Sequence, residues 1–253
     1  MIAEEQTAST RDKTHALWQR YMKCYDFLQC VDTYRQNTDD VVNALALTPR
    51  CRVLDAGSGT GNLSLKIKAL GASVVSMDFS ECALRQHILK DPQACTVHAS
   101  LESRLPFANE SFDRVCCASV LFTLSKEGSQ LAVREFHRIL TPNGRLAVTV
   151  ASPSKRDTGI INMHWQGLVK RRGRLSGSLQ CIRDLPALAQ IVHYNRLLRK
   201  LPDWNGYHRF DQQELQQLLS NAGFSDVNIS RTFGDCFFIA TAVSKNGELK
   251  TCT

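Results

Sequence analysis

The sequence lacks two features that would direct a chain into or across a membrane. No apolar run approaches the ~20 residues that a membrane-spanning helix needs. The first residues also lack the apolar stretch of a secretory signal peptide. We therefore expect a cytoplasmic protein without a transmembrane segment, and peripheral contact with a membrane surface is compatible with both absences.

Closely paired cysteines are also missing. The ten cysteines include no Cys-x-x-Cys pair, and most of them lie inside apolar runs. They are Cys24, Cys30, Cys51, Cys82, Cys95, Cys116, Cys117, Cys181, Cys236 and Cys252. This dispersal argues against a zinc site and against a disulfide framework. It predicts reduced thiols in the protein interior and no bound metal.

Charge of one sign is not in large excess. A net charge of +7 over 253 residues is a mild basic bias, and a solvated basic surface accounts for it. An acidic substrate, nucleic acid or an anionic membrane face is also compatible with this charge. The chain is long enough for one α/β domain with elaborations and a full core.

What the sequence does contain begins at residues 51–61, Cys-Arg-Val-Leu-Asp-Ala-Gly-Ser-Gly-Thr-Gly. Its first half suits a short strand that ends in Asp55, and the glycines then supply a turn with almost no side-chain bulk. From Asn62 the apolar residues recur with a helical period. A strand, a glycine turn and a helix start bring backbone N–H groups close to a polar ligand, although a simple tight βα turn has the same pattern.

The next strand favours the functional interpretation. Residues Gly71–Met77 form a second apolar run, which ends in Asp78. Asp78 follows Gly57 at about the 20-residue spacing at which an acid of a Rossmann-type fold reaches a ribose hydroxyl. Two strands that each end in an acid, with a glycine turn between them, predict a nucleoside pocket.

The stretch Val53-Leu54-Asp55-Ala56-Gly57-Ser58-Gly59-Thr60-Gly61 resembles the first motif of the class I S-adenosylmethionine-dependent methyltransferases, Val-Leu-Asp-x-Gly-x-Gly-x-Gly. The resemblance covers about residues 20–150. Within it, Tyr25-Asp26 is similar to a pair found in the ubiquinone- and menaquinone-biosynthesis branch of that family. An NAD-dependent enzyme fits less well, because its third glycine would fall at Asn62.

The resemblance implies an α/β, Rossmann-like fold. It predicts a seven-stranded, mostly parallel sheet with helices on both faces and an antiparallel C-terminal hairpin. The expected division is a disordered tail over 1–12, N-terminal lid helices over 13–47, a cofactor-binding core over 48–151, a substrate-cap insertion over 152–210, a core helix and hairpin over 211–244, and a tail over 245–253. The apolar pattern further predicts helices from Asp39 to Leu47 and from about Pro186 to Lys200.

For the cofactor, S-adenosylmethionine, the resemblance implies contacts at the glycine turn and beyond the neighbouring strands. The expected cofactor-binding residues are Asp55, Ala56, Gly57, Ser58, Gly59, Asp78, Phe79, Leu101, Glu102 and Ala118. Asp55 would organise the turn and the methionine end, and Asp78 would bind the ribose hydroxyls. Ser100 stands where the family usually has an acid, so Glu102 is interpreted either as an adenine-side contact or as a surface carboxylate.

The acceptor site is predicted less directly. Many relatives carry one or two histidines after the fourth strand, where this sequence has Phe122-Thr123-Leu124, so a base would come from elsewhere. The candidate catalytic residues are His164, His193, His208, Tyr25 and Tyr207, and the expected acceptor-binding residues are Tyr21, Tyr25, Phe122, His164 and Tyr207. The basic cluster at residues 170–174 either steers an anionic acceptor or forms a solvated face.

These observations predict an enzyme that transfers a methyl group to a small anionic or aromatic molecule by in-line displacement, for which alignment and exclusion of water supply much of the catalysis. Two alternative functions stay open.

One is an RNA or protein methyltransferase that uses the basic surface, and the other is a catalytically silent partner subunit. The chain has no Asn/Asp-Pro-Pro-Tyr/Phe motif and no evident RNA-binding module, which disfavours nucleic acid. The intact glycine turn disfavours the silent subunit.

Overall fold

A computed structural model describes residues 16–153, 159–198, 200, 208–232 and 236–245. Its described strands form one sheet in the order β3-β2-β1-β4-β5-β7-β6. The strands are β1 Arg52–Ala56, β2 Ser73–Asp78, β3 Cys95–His98, β4 Phe112–Ala118, β5 Leu140–Ala151, β6 Phe224–Thr232 and β7 Phe237–Ser244. The first five pair in parallel, whereas β7 runs antiparallel to both β5 and β6. The predicted seven-stranded sheet with an antiparallel C-terminal hairpin is confirmed.

Helices cover both faces of this sheet. They are α1 over residues 16–25, α2 Asp32–Ala44, α3 Asn62–Ala69, α4 Glu81–Lys90, α5 Lys126–Ile139, α6 Ile160–Arg172, α7 Arg174–Leu198 and α8 Gln212–Asn221. Short 3₁₀ helices occupy Asp26–Cys30 and Leu121–Thr123. Within the described ranges, no helix has both the length and the apolar character needed to cross a membrane.

The side chains of the central strands alternate between the two faces of the sheet, which explains why the sheet lies between two layers of helices. In β1, Leu54 belongs to the core cluster under α5 and α8, and its neighbour Val53 belongs to the cluster under α2 and α3. In β4, Cys117 belongs to the first of these clusters and Cys116 to the second. Successive side chains of a strand point to opposite faces of a sheet, so strands that are apolar at nearly every position require helices on both sides.

The helix predicted from Asp39 to Leu47 is placed wrongly at both ends. The helix begins at Asp32, directly after the extended residue Val31, and ends at Ala44. Its first turns are largely polar, so apolar periodicity gave no signal for them. Part of this polar face is nevertheless buried, as Asn37 and Thr38 show.

The predicted helix start at Pro186 is also wrong. Pro186 lies inside α7, which runs from Arg174 to Leu198. A proline inside a helix removes one backbone hydrogen bond and costs about 3 kcal/mol. Buried residues on both sides of it, including Cys181, Leu188 and Ile191, anchor α7 to its neighbours, and this packing keeps the helix continuous.

Candidate functional site

The glycine turn follows β1 and is pinned to β2. The backbone N–H groups of Gly57 and Ser58 both donate to Met77 O, at 2.7 and 2.9 Å. Gly57, Gly59 and Gly61 have φ values of +78°, +54° and +80°, a region that favours glycine. A Cβ atom at Gly57 would also lie 2.5 Å from Val120 Cγ2. The turn therefore requires glycine for its backbone conformation and for its close approach to Val120.

Asp78, the last residue of β2, supports this turn. Its Oδ2 accepts a hydrogen bond of 2.8 Å from Gly59 N, and its Oδ1 accepts one of 2.8 Å from Ser80 N. Burial raises the pKa of Asp78, and the two backbone N–H groups partly offset that rise. The carboxylate thus faces the turn at the edge of the sheet where the parallel strands end.

Asp55, at the corresponding edge of β1, is almost completely buried. Its Oδ2 accepts a 2.6 Å hydrogen bond from Ser64 Oγ, and its Oδ1 accepts a weak one of 3.6 Å from Cys116 Sγ. Burial raises the pKa of Asp55 to about 6, against the lowering effect of the Ser64 hydroxyl. The side chains that act on this carboxyl in the described structure, Ser64, Cys116 and Asp78, are not cationic. A positively charged ligand beside Asp55 would therefore favour its ionised form.

The two acids and the turn border a cavity of about 740 Å³. Nine of the ten expected cofactor-binding residues line it: Asp55, Gly57, Ser58, Gly59, Asp78, Phe79, Leu101, Glu102 and Ala118. The tenth, Ala56, is buried in the sheet as part of the core cluster under α5 and α8. Glu102 also accepts a 3.2 Å hydrogen bond from Ser125 Oγ, so its carboxylate connects the cavity wall to the start of α5.

The expected acceptor-binding and catalytic residues are divided by the structure. Tyr25, Phe122 and His208 line the cavity, and Tyr207 lies outside the described residues. Tyr21 is buried behind the cavity wall, where it stacks on Trp18 and on Tyr194 with ring centroids 5.6 Å apart in each pair. Tyr21 is therefore placed behind the lining rather than in it.

His164 and His193 also lie apart from the described cavity lining. His164 is buried, and its Nε2 is 2.7 Å from Asp184 Oδ2, which links α6 to α7. His193 is exposed on α7, with its ring edge-on to Tyr194. Neither placement supports the predicted role in the cavity, because a base must come within hydrogen-bond reach of the proton that it removes.

His208 lies beside Phe122, which belongs to the segment after β4 that has no histidine of its own. Its backbone N–H donates to Phe122 O at 3.1 Å, and its Nε2 is 2.6 Å from Glu214 Oε1. Glu214 lies in the first turn of α8, where Asp211 caps the helix by accepting from Glu214 N. A histidine and a carboxylate are thereby paired at the cavity wall, a pairing that sequence reasoning missed.

Further residues that line the cavity were not predicted. Trp18, Met22, Tyr34, Asn37, Thr38 and Lys126 are among them. Within the described part of the chain, Asn37 Oδ1 and Ser58 Oγ are buried and make no hydrogen bond. Buried polar atoms are normally satisfied, and a polar ligand in the cavity could supply the missing partners of these two.

The end of β4 adds a strained backbone to this wall. Ser119 lines the cavity with a φ of +62°, which is uncommon for a residue other than glycine. Thr149 of β5 holds it in place, because Ser119 N donates to Thr149 O at 3.1 Å and to Thr149 Oγ1 at 3.0 Å. Such conformations concentrate at functional sites.

Comparison with known proteins agrees with this geometry. Residues 54–148 match the family described as "Methyltransferase domain". The chain is 32% identical to the ubiquinone/menaquinone biosynthesis C-methyltransferase UbiE of Syntrophotalea carbinolica, over 68% of this chain and 76% of that protein. It is 28% identical to the demethylmenaquinone methyltransferase of a Parafrankia species, over 94% and 96% of the two chains.

A solved structure shows the same fold. It is the 1,6-didemethyltoxoflavin-N1-methyltransferase of Burkholderia thailandensis, with bound 1,6-didemethyltoxoflavin and S-adenosylhomocysteine. The TM-score is 0.56 at 16% identity, over 89% of this chain and 88% of that one. At this identity the likeness concerns the fold alone.

The sheet order, the glycine turn and the two strand-end acids define a class I methyltransferase that uses S-adenosylmethionine. The chain belongs to the ubiquinone/menaquinone-biosynthesis branch of that family. The predicted enzyme class, cofactor and small-molecule methylation are confirmed by this membership.

Proposed function

We propose that the cavity holds S-adenosylmethionine against the glycine turn, with the methionine end toward Asp55 and the ribose toward Asp78. When bound, the cofactor supplies a methyl group on a cationic sulfur. Two observations support this placement. Ser58 Oγ and Asn37 Oδ1 are buried without partners in the described structure, and a Cβ atom at Gly59 would have only Met22 Sδ near it, at 4.0 Å. The turn is thus open on the side where the cofactor would lie.

The nucleoside would extend from Asp78 toward Phe79, Leu101 and Glu102, which line the adjoining wall. Leu101 offers an apolar surface for the adenine, and Glu102 offers a hydrogen-bond acceptor. Ala118 closes the cavity at the end of β4, and the neighbouring Ala56 would support it from within the sheet.

The acceptor in this proposal is a phenol- or hydroquinone-type aromatic ring. Trp18, Tyr25 and Phe122 line the cavity and would pack on such a ring. Burial raises the pKa values of Tyr25 and Tyr34, so both phenols stay protonated at neutral pH and serve as donors rather than as bases. The names of the relatives, which refer to C-methylation in ubiquinone and menaquinone biosynthesis, agree with this acceptor class.

The His208–Glu214 pair carries the mechanistic part of the proposal. Methylation at a ring carbon or hydroxyl requires that the acceptor lose a proton, and histidine is the side chain most often used as a general base. A carboxylate at Nε2 fixes the N–H on that nitrogen and leaves Nδ1 as the acceptor. His208 would therefore take the proton, and Glu214 would hold the imidazole in the required tautomer.

The test uses a set of phenols, naphthols and hydroquinones as acceptors for an isotopically labelled methyl group. In the His208→Gln variant we expect kcat to fall by about 10²–10⁴-fold, while calorimetry finds unchanged S-adenosylhomocysteine binding. Glu214→Gln should lower kcat less and shift its pH profile. His193→Gln is the matched control, because His193 is exposed on α7. Unchanged turnover in His208→Gln would exclude this base.

The described residues of the 152–210 insertion divide between two roles in our proposal. Only His208 among them lines the cavity. The α6–α7 hairpin instead packs on the N-terminal helices, as the Tyr21–Tyr194 stacking shows. We propose that residues 13–47 form the lid over the 48–151 core and that the hairpin supports this lid. The 211–244 segment would complete the core by adding α8 and the terminal strands.

A cytoplasmic location is the remaining part of the proposal. All nine described cysteines are free, and Cys252 lies outside the described residues. Free thiols are typical of proteins in a reducing compartment. The exposed position of the basic cluster at residues 170–174, away from the cavity lining, supports a small acceptor rather than a nucleic acid at the active site.

A further inference from the structure

Helix α7 is apolar on two opposite sides. One side is buried and includes Gly177, Cys181, Leu188, Ile191 and Leu198. Leu175, Leu179 and Ile182 are instead 91%, 53% and 62% exposed. At about 100° per residue, these three side chains project from the side opposite the buried one. A helix that is apolar all round is expected where both sides are covered, yet the described residues bury only one.

Helix α6 extends this exposed surface. Ile161, Trp165 and Leu185 are also exposed, so the α6–α7 hairpin contributes six of the ten large apolar side chains exposed in the described part of the chain. Trp165 Nε1 donates to Ser178 Oγ at 3.0 Å, which ties the indole to α7. We name Ile161, Trp165, Leu175, Leu179, Ile182 and Leu185 the hairpin face.

The two helices hold this face in a fixed arrangement. His164 and Asp184 join them through the 2.7 Å contact already described. They also approach closely at Gly177, where a Cβ atom would lie 2.8 Å from Val169 N. The exposed side chains therefore belong to a packed element, and their exposure does not come from a loose terminus.

The exposed charged side chains within the α6–α7 hairpin are all basic. Across the whole chain, 31 basic residues stand against 24 acidic ones. Within residues 159–198 the exposed basic residues are Lys170, Arg171, Arg172, Arg174, Arg183 and Arg196, whereas the one acidic residue is Asp184. Asp184 is engaged by His164 and Gln180. Arg171 lies 3.2 Å from Asp32 of α2, and the other five basic side chains are exposed on the same hairpin.

We infer that the hairpin face docks on an anionic lipid surface. Apolar and tryptophan side chains at the boundary of the acyl chains, with Lys and Arg beside the headgroups, are the pattern of a helix that lies in a membrane interface. A second copy of the chain is a poorer occupant, because its docking would bring the exposed basic side chains of two hairpins together. Anionic headgroups instead attract these residues.

Docking there would place the active-site lid beside the bilayer. Tyr194 of α7 stacks on Tyr21 of α1, whose ring meets Tyr25 edge-on with centroids 5.4 Å apart. Tyr25 lines the cavity. One layer of aromatic side chains thus connects the hairpin to the cavity wall.

The test is sedimentation of the full chain with phosphatidylcholine vesicles, with and without phosphatidylglycerol. We expect binding to the anionic vesicles that weakens as ionic strength rises. Replacing Leu175, Leu179 and Ile182 together by Ser should lower the partition coefficient by about tenfold or more. The matched control replaces Leu70, Ile88 and Leu89 by Ser, since these apolar side chains are exposed elsewhere, and it should bind as the parent chain does.

A second pair of variants tests the charge. Replacing Arg172, Arg174 and Arg183 by Gln should also lower binding by about tenfold or more, whereas Gln at Arg50, Arg104 and Arg134 should not. Thermal melting establishes that each variant is folded. Failure of the parent chain to sediment with anionic vesicles at low ionic strength would overturn the inference. So would equal binding by the hairpin variants and their controls, or a dimer in ultracentrifugation that only the hairpin Ser variant abolishes.

Discussion

Asp78 Oδ2 accepts a 2.8 Å hydrogen bond from the backbone N–H of Gly59. The acid at the end of β2 therefore supports the glycine turn at the end of β1. These two strands are parallel neighbours in the sheet. In our proposal this relationship gives Asp78 two effects on cofactor binding. It shapes the turn, and in our proposal it also contacts the ribose directly.

Replacing Asp78 by Ala should weaken S-adenosylhomocysteine binding by about 1.5–3 kcal/mol, the usual value of hydrogen bonds to a charged group. Asp78→Asn should lie between the parent and the Ala variant. Its amide can present only one oxygen, whereas both carboxylate oxygens accept backbone N–H groups here. Isothermal calorimetry measures the change. Asp113→Ala is the control, because Asp113 pairs with Arg52 at the partly exposed start of β4. Equal affinities in Asp78→Ala and Asp113→Ala would contradict the placement.

Cofactor affinity should rise with pH through the titration of Asp55, whose pKa burial raises to about 6. Below that pH the empty site holds a neutral carboxyl, and above it a carboxylate that attracts the cationic methionine end. We expect S-adenosylmethionine to bind more tightly at about pH 7.5 than at about pH 5, with release of a proton. Asp55→Asn should bind weakly at both values. A pH dependence that persists in Asp55→Asn must come from another group.

The raised pKa of Asp55 also predicts how the stability of the fold changes with pH. Because the folded protein binds this proton more tightly than the unfolded chain, Asp55 contributes stability that is complete below the unfolded pKa of ~4. That contribution is lost as pH rises through about 6. Chemical denaturation measures the free energy of unfolding of the parent chain and of Asp55→Asn at pH values between these two pKa values. The difference between the two proteins gives the contribution of Asp55.

Substitution at Gly57 should destabilise the fold more than substitution at Gly71. Both residues have similar positive φ values, +78° and +83°, so alanine meets the same backbone strain of about 1–2 kcal/mol at each. At Gly57 the added Cβ atom would also meet Val120, whereas at Gly71 nothing lies within 4 Å. The additional loss should be about 1–3 kcal/mol, measured by denaturant unfolding. Gly57→Ala combined with Val120→Ala should recover part of it. Identical losses at the two glycines would show that Val120 moves aside without cost.

Asn37→Ala should separate binding from stability. Its Oδ1 is buried without a hydrogen bond, so removing the amide should leave the free energy of unfolding unchanged or raise it, by about 1 kcal/mol. Cofactor binding should weaken by a similar amount, if the amide is held for the ligand. Asn43→Ala on the exposed side of α2 should alter neither quantity. An Asn37→Ala protein that binds normally would remove this residue from the site.

The part of the cavity where we propose that the cofactor lies was largely predictable from sequence, because its signals are local. Gly57, Gly59 and Asp78 lie within two neighbouring strand–turn units, where short-range periodicity and spacing determine the conformation. The sheet was also predictable, because strands and helices alternate along the sequence. Nine of the ten residues expected at the cofactor line the cavity for this reason, and their roles stay predictions.

The part of the cavity proposed for the acceptor depended on contacts between distant segments, which the spacing of residues in the sequence does not encode. His208 meets Phe122 and Glu214 only because the chain returns to the end of β4 before α8 begins. Asn37 faces the cavity because of how α2 packs, and His164 is drawn into the α6–α7 hairpin by Asp184. Local sequence therefore determined the turn, the strand-end acids and the sheet, whereas tertiary packing decided which aromatic rings and which histidine reach the cavity.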